Sequence, residues 1–340
     1  MFWSRHGTEQ RPFLLILYYE VKKMIKVVTV NELKNGFRFK SLLIILLLLT
    51  VCLSGCVGLL IESQVMEIKK FSAASNSYSD YPGTVIKAHA DLSFHNQLTN
   101  ASSSVNGENA FGFIEKGMEK YKKITELGER ADAACRILRS YSGILDKLSS
   151  DTYTTKTQAS LEKLGLQLDH SIKEYNEITK SSLTSFGSLI AATLRGISSV
   201  YIKSKQHKAI KMVVTEADPM IEEITNSITE LLETYVGENS LEIIQAERDD
   251  LQTWYETVGY KQPLSTALWV ADELEAIESI LILVEKSKKA AIDLQKAHKV
   301  LITKIEKKMD LKDTIEVIET LVEEVEAAKE FKEKLDKRNS

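Results

Sequence analysis

An all-α fold is what this sequence predicts, on three observations. Four prolines and fifteen glycines in 340 residues are about half the usual share, too few turn-formers for a sandwich, barrel or propeller. Beyond Gly107 apolar residues recur at intervals of three and four, which keeps them on one face of a helix. No stretch after residue 100 alternates with period two for long enough to make a strand. A hydrophobic content of 44% and a charged content of 27% belong to a folding chain and exclude disorder throughout. The three cysteines are too few for a disulfide scaffold.

The amino-terminal segment carries the most specific signal. Lys34, Arg38 and Lys40 form a basic flank, Ser41 to Cys52 is apolar with an unbroken Leu/Ile run from Leu42 to Leu49, and Leu53-Ser54-Gly55-Cys56 follows. Charged, greasy and small-residue regions in that order describe a secretory signal. Ending in cysteine, the segment resembles the signal and lipobox of bacterial lipoprotein precursors. The resemblance implies diacylglyceryl transfer to the Cys56 thiol, cleavage before Cys56 and acylation of the new terminus. It also implies a lipid-anchored place in the bacterial envelope, outside the cytoplasm. Val57 follows the cysteine where retention at an inner membrane would need Asp, so in a Gram-negative cell the resemblance implies the outer membrane. The alternative is an uncleaved span, because Ser41 to Ile61 is 21 residues without a charge, enough to cross a hydrocarbon core. Basic residues precede the run and Glu62 follows it, so both readings place the body outside the cytoplasm.

The expected organisation is a signal peptide over 1–55, a lipid-anchored stalk or linker with short helical pieces over 56–107, and a long-helix bundle over 108–340. Met24 is an alternative start that would make 1–23 extraneous. Ser72 to Gly83, rich in Ser and Asn and closed by Pro82-Gly83, reads as a linker, with a short helix from about Thr84 to Gln97.

The bundle elements follow in order. Ile114, Met118, Tyr121, Ile124, Leu127, Ala131, Ala134, Leu138, Tyr141, Leu145 and Leu148 trace one stripe and predict a helix whose whole length is buried along it. After a break at Ser150–Thr155 the pattern resumes at Leu161, Leu164, Leu168, Ile172, Tyr175 and Ile178. It then runs through Phe186, Leu189, Leu194, Ile197 and Val200 with no proline before Pro219, which predicts one helix approaching about 60 residues, bent at most at Gly187 and Gly196. Asp218-Pro219 restarts the chain as cap and first helical residue, and that helix ends near Val236-Gly237. Leu241 to Val258 and Pro263 to about Lys308 are the next two. Ile315, Ile318, Leu321, Val325, Ala328, Phe331 and Leu335 mark the last. Such helices bury their stripes by packing antiparallel into an elongated bundle. Ser, Lys and Ala at seam positions exclude one uninterrupted two-stranded coiled coil.

Motifs that carry chemistry are sparse in the sequence. His89 and His95 fall on different faces, the other histidines are isolated, and no His-Glu-x-x-His or Cys-x-x-Cys occurs, so neither a metal nor a cofactor is expected. No phosphate loop or nucleophile elbow is present, and no catalytic residue is assigned. Asp249-Asp250 and Glu323-Glu324 are adjacent helical carboxylates that read as solvated faces. Cleaved before Cys56, the chain keeps 36 basic and 45 acidic residues, a net charge of −9, which would repel nucleic acid. Cys135 would then be the one thiol besides Cys56, read as buried and inert. The lysines of residues 286–308 and the glutamates of residues 316–330 are expected to complement each other across two helices. Trp254, Tyr255 and Trp269 flank the Gly259–Pro263 turn and are expected to cluster at one end of the bundle, as a cap on the core or a partner-docking site.

The functional expectation is therefore a lipid-anchored, non-catalytic helical envelope protein with an interaction or scaffolding role. Its partners would be the membrane, through lipid on Cys56, and a protein, with self-association left open. The alternative is a membrane-active helical protein of pore-forming type, using the apolar segment 186–202.

Overall fold

The structure, a computed structural model, describes residues 62–103, 109–150, 155–194, 202–236, 238–257, 259–307 and 312–338. Cys56 and the signal peptide expected over 1–55 lie outside the described residues. Residues Leu59–Ser340 form one compact unit, and its buried apolar core runs from Ile68 to Ala328, so this unit carries a complete core of its own. The described helices are α1 (Glu62–Tyr78), α2 (Pro82–Ser103), α3 (Ala110–Leu148), α4 (Thr155–Thr179), α5 (Gly187–Leu194), α6 (Ile202–Glu216), α7 (Asp218–Val236), α8 (Glu238–Thr257), α9 (Leu264–Lys307) and α10 (Lys312–Arg338), with a 3₁₀ turn at Gly259–Lys261. The fold is an all-α bundle, as the sequence predicts.

Two long helices organise it. α3 has 39 residues and α9 has 44, about 58 and 66 Å at 1.5 Å per residue. Each is flanked by an antiparallel partner made of shorter pieces. Along α3, Ser72 meets Ser142, Gly83 meets Asp132 and Gln97 meets Gly117, so α1 and α2 follow its length in series. Along α9, Asp218 meets His298, Glu233 meets Lys288 and Trp254 meets Trp269, so α7 and α8 do the same. Tyr78 donates to Ser287 O at 2.9 Å and Phe71 lies 5.8 Å from His298, so α3 and α9 run in the same direction. The Glu62 side of the bundle thus holds Leu148 and the carboxyl end of α9. The opposite end holds the start of α3, the end of α8 and the start of α9.

The segment expected as a loose stalk is instead two packed helices. Ile68, Phe71, Ala74, Ser75, Tyr78 and Val85 are all buried, and Ser72 Oγ donates to Ser142 O at 2.6 Å. The small residues that resemble a linker allow α1 to approach α3 closely, so composition alone gave the wrong sign. The helix between the expected linker and Gln97 begins at Pro82 and runs on to Ser103.

The single helix expected up to Pro219 is also broken. α4 ends at Thr179, Lys180 takes a left-handed conformation with φ 63°, and the chain turns back. Ser181, Ser182, Thr184 and Ser185 crowd this turn, and such side chains compete for backbone hydrogen bonds. Asn176 holds it: Nδ2 donates to Leu183 O at 2.9 Å, and Oδ1 accepts from the Leu183 N–H at 3.0 Å. Asp169 accepts from the N–H groups of Gly187 and Ser188, at 2.7 and 3.0 Å, and so caps α5 from α4. Gly187 then crosses Gly165 with backbone against backbone. A Cβ on Gly187 would stand 2.0 Å from Gly165 O.

That turn-back has a consequence on α3. The stripe is buried from Ile124 onward, but Met118 and Tyr121 are exposed and Ile114 is only half-buried. α4 covers α3 beside Gly143 and Arg136, where Leu164 and Glu174 contact it, and stops before reaching residue 121.

Elsewhere a buried polar brace ties three helices. Tyr141 Oη lies 2.8 Å from His298 Nε2, and His298 Nδ1 lies 3.3 Å from Asp218 Oδ1. Burial pushes the His298 imidazole below its ordinary range, against the opposing pull of Asp218. The expected Lys/Glu complementarity divides between two neighbours. Lys286 and Lys289 reach Glu324 on α10, whereas Lys288 and Lys299 pair with Glu233 and Glu222 on α7, both at 3.0 Å. Glu324 is buried by these contacts rather than solvated, a correction to its reading as a water-facing carboxylate.

Candidate functional site at the aromatic end of the bundle

The turn between α8 and α9 forms a platform of aromatic rings. Trp254 and Tyr255 occupy the last turn of α8, and Trp269 the second turn of α9. The Trp254 and Trp269 rings meet edge to face, with centroids 5.5 Å apart and planes at 85°, a favoured aromatic geometry. Buried Gly259 lies beneath them. A Cβ there would sit 2.8 Å from Tyr255 Cδ2 and 2.9 Å from Trp254 Cζ3, so closure of the rings requires glycine. Gln262 N–H donates to Gly259 O and Thr266 N–H to Pro263 O, both at 2.9 Å, and these bonds fix the entry into α9. The three aromatic residues singled out in the sequence are thus brought together, all of them half-buried.

Sequence reasoning missed the groups around them. Tyr260, Leu264 and Leu268 are exposed beside the rings, and Lys261 Nζ lies 5.2 Å from the Tyr260 centroid. Leu264 and Leu268 stand one helical turn apart just after Pro263, a spacing that could have flagged an apolar extension of the cluster.

Beneath the rings lie two buried carboxylates. Leu92, His95, Asn96 and Thr99 of α2, Glu247 and Leu251 of α8, and Trp269, Glu273 and Ile277 of α9 line a narrow cleft of about 20 Å³, room for one water. Glu247 Oε1 lies 3.8 Å from Lys120 Nζ, and Glu273 Oε1 lies 3.7 Å from His95 Nδ1. Burial pushes the Glu247 carboxyl up to about 7, against the Lys120 charge and a Ser93 hydrogen bond. On the next turn of α2, His89 is buried and pushed down to about 4, by burial first and by the Lys120 charge second. Asn96 and Asn100 donate to Asp250 at 3.4 and 3.3 Å, binding α2 to α8. A carboxyl near neutral in pKa is suited to proton transfer, and the space beside it in this structure has room for one water. The Glu247–Lys120 and Glu273–His95 contacts link α8 to α3 and α9 to α2 under the aromatic platform.

The other singled-out residues fall elsewhere. Cys56 lies outside the described residues. Cys135 is buried in α3, and burial raises its thiol far above the ordinary range, with the Asp132 charge adding to this. In the apolar segment 186–202, Phe186 and Ile190 are buried and Leu189 is exposed, while 195–201 lie outside the described residues. Among the described residues no helix is long and apolar enough to cross a membrane, and no three His, Cys, Asp or Glu side chains converge to hold a metal ion. Comparison with protein-family models, curated proteins and solved structures gives no match to the chain.

Proposed function

We propose that this chain is a bacterial lipoprotein held at the envelope through lipid on Cys56, whose helical body carries an aromatic docking site for a protein partner away from the membrane and performs no catalysis. One observation carries the reading: the direction of the helices. Phe71 lies level with His298 on the antiparallel α9, so Glu62 falls near the carboxyl end of that helix. Trp254 and Trp269 lie at its other end, roughly 60 Å away at 1.5 Å per residue. Only five residues separate Cys56 from Glu62, a tether of at most ~20 Å. An anchored body would therefore hold the platform well clear of the lipid. In a Gram-negative cell that lipid is the outer membrane, on the resemblance argued from Val57.

The composition of the platform supports docking. Half-buried Trp and Tyr beside exposed Leu264 and Leu268 are the residue types that dominate interface energetics, because they offer large apolar area at low entropy cost. The test places a photo-crosslinking residue at Leu268 of the anchored chain in its own cells. A defined adduct from position 268, absent from a control at exposed Lys173 of α4 and lost with Trp269→Ala, is the expected result. Equal labelling from both positions, or none from the platform, would overturn the docking role.

A further inference from the structure

The face of α3 that α4 leaves uncovered is a site in its own right. Phe111, Ile114, Met118 and Tyr121 follow a three–four–three spacing, that of a coiled-coil seam. Met118 lies on the same face as Arg136, eighteen residues or five turns on, and Arg136 is where α4 packs. The seam is the upward continuation of a groove that already receives an antiparallel helix. Phe111 is 69% exposed, Met118 59% and Tyr121 37%, and Leu98 of α2 adds a residue 38% exposed. Tyr121 is joined to α2 by a ring contact with Phe94 at 5.6 Å. At ~200 Å² per large side chain, these four residues leave about 400 Å² of apolar surface in water, in the range of functional patches.

The charges beside the seam indicate what covers it. Glu115 and Lys122 flank it on one side, seven residues and two turns apart, and both are exposed. Neither has an ion-pair partner among the described residues, although nearby Lys123 and Glu119 pair with each other at 2.6 Å. A second α3 laid antiparallel, with Met118 opposite Tyr121 of the other copy, brings Glu115 to Lys122 twice over by two-fold symmetry. A parallel copy matches no such charges, because the other flank is Gly117 and Ile124, both buried. In the antiparallel register Phe111 of the second copy comes level with Gly128. That is just short of Arg130, which shares a cleft with Thr179 at the end of α4, so the incoming helix fills the vacant length of the groove.

We propose that two copies of this chain pair through an antiparallel α3–α3 contact centred on Met118 and Tyr121 and flanked by reciprocal Glu115–Lys122 ion pairs. Two such patches contribute about 800 Å² of apolar area before the rim, a contact at the small, reversible end of specific interfaces. In this arrangement the two Glu62 ends point in opposite directions.

The test is sedimentation of the soluble unit from Leu59 onward, which lacks the anchor and so reads self-association apart from lipidation. A reversible dimer is expected, abolished by Met118→Glu, with the melting curve unchanged at concentrations where the wild type is already monomeric. Glu115→Lys and Lys122→Glu should each weaken it about tenfold, by turning two attractions into two repulsions. Mixed in equal amounts, the two variants should dimerise with one another at wild-type strength, since each supplies the charges the other lacks. A monomer at every concentration up to about 1 mM, a dimer indifferent to Met118→Glu, or no recovery on mixing would each overturn the proposal.

Discussion

Lowering the pH from about 7 to about 4 should push this bundle in two opposite directions at once, and two substitutions should separate them. His89 and Glu247 lie in the same polar layer between α2, α3 and α8, both within the field of Lys120. His89 is pushed down from 6.5 to about 4. Its unfolded form takes up a proton first, so its contribution is complete above 6.5 and is lost as the pH falls towards 4. At about 1.4 kcal/mol per pH unit that loss is ~3 kcal/mol. Glu247 is pushed up from 4.5 to about 7. Its folded form holds the proton more tightly, so its contribution is complete below 4.5 and is lost as the pH rises through 7, again ~3 kcal/mol. In the wild type the two nearly cancel. Glu247→Gln should leave the histidine unopposed, so that stability relative to wild type falls by ~3 kcal/mol on acidification. His89→Leu should do the reverse and gain a similar amount. Urea unfolding across a pH series reads both as differences from wild type, which removes the slope common to all other groups. If both variants run parallel to wild type through this range, neither group is held as the burial argument requires.

Other expectations follow from the same physics. Lys180 sits at φ 63°, where glycine carries no Cβ penalty, so Lys180→Gly should raise stability by about 0.5–1 kcal/mol in urea unfolding. Gly187→Ala should lower it by more than about 2 kcal/mol, because the new methyl meets the Gly165 backbone rather than a movable side chain. The unit from Leu59 onward should leave dye-loaded vesicles intact. Leakage that disappears with Leu189→Asp in a folded protein would instead favour a membrane-inserting role for 186–202.

What the sequence made legible, and what it hid, can be traced to particular residues. Pro219 and Pro263 mark boundaries because their backbone preferences act locally. The α7, α8 and α9 limits therefore fall within a few residues of expectation. The ring cluster was equally legible, since Trp254, Tyr255 and Trp269 flank one turn and must meet when α8 and α9 pack. Ser72, Ala74 and Ser75 misled because small polar residues serve a solvated linker and a close helix crossing alike. Tertiary packing distinguishes the two, through the burial of Phe71 and Tyr78 and the Ser72–Ser142 contact. The turn at Lys180 was written in Ser181, Ser182, Thr184 and Ser185, but apolar periodicity carries through it by coincidence of spacing. Misreading that turn also hid the bare face of α3, which is exposed because α4 ends. Glu247 and Glu273 were invisible for a different reason. A buried carboxylate differs from a surface one only in its neighbours, and those come from other helices.

Everything said of placement in the envelope turns on Cys56, so the most direct measurement is the intact mass of the detergent-extracted protein beside a Cys56→Ala variant. The account predicts a mass equal to residues 56–340 plus acyl chains, with the variant left unprocessed. A mass that retains residues 41–55 and carries no acyl addition would contradict it, making Ser41 to Ile61 a membrane span and removing the basis for the outer-membrane assignment.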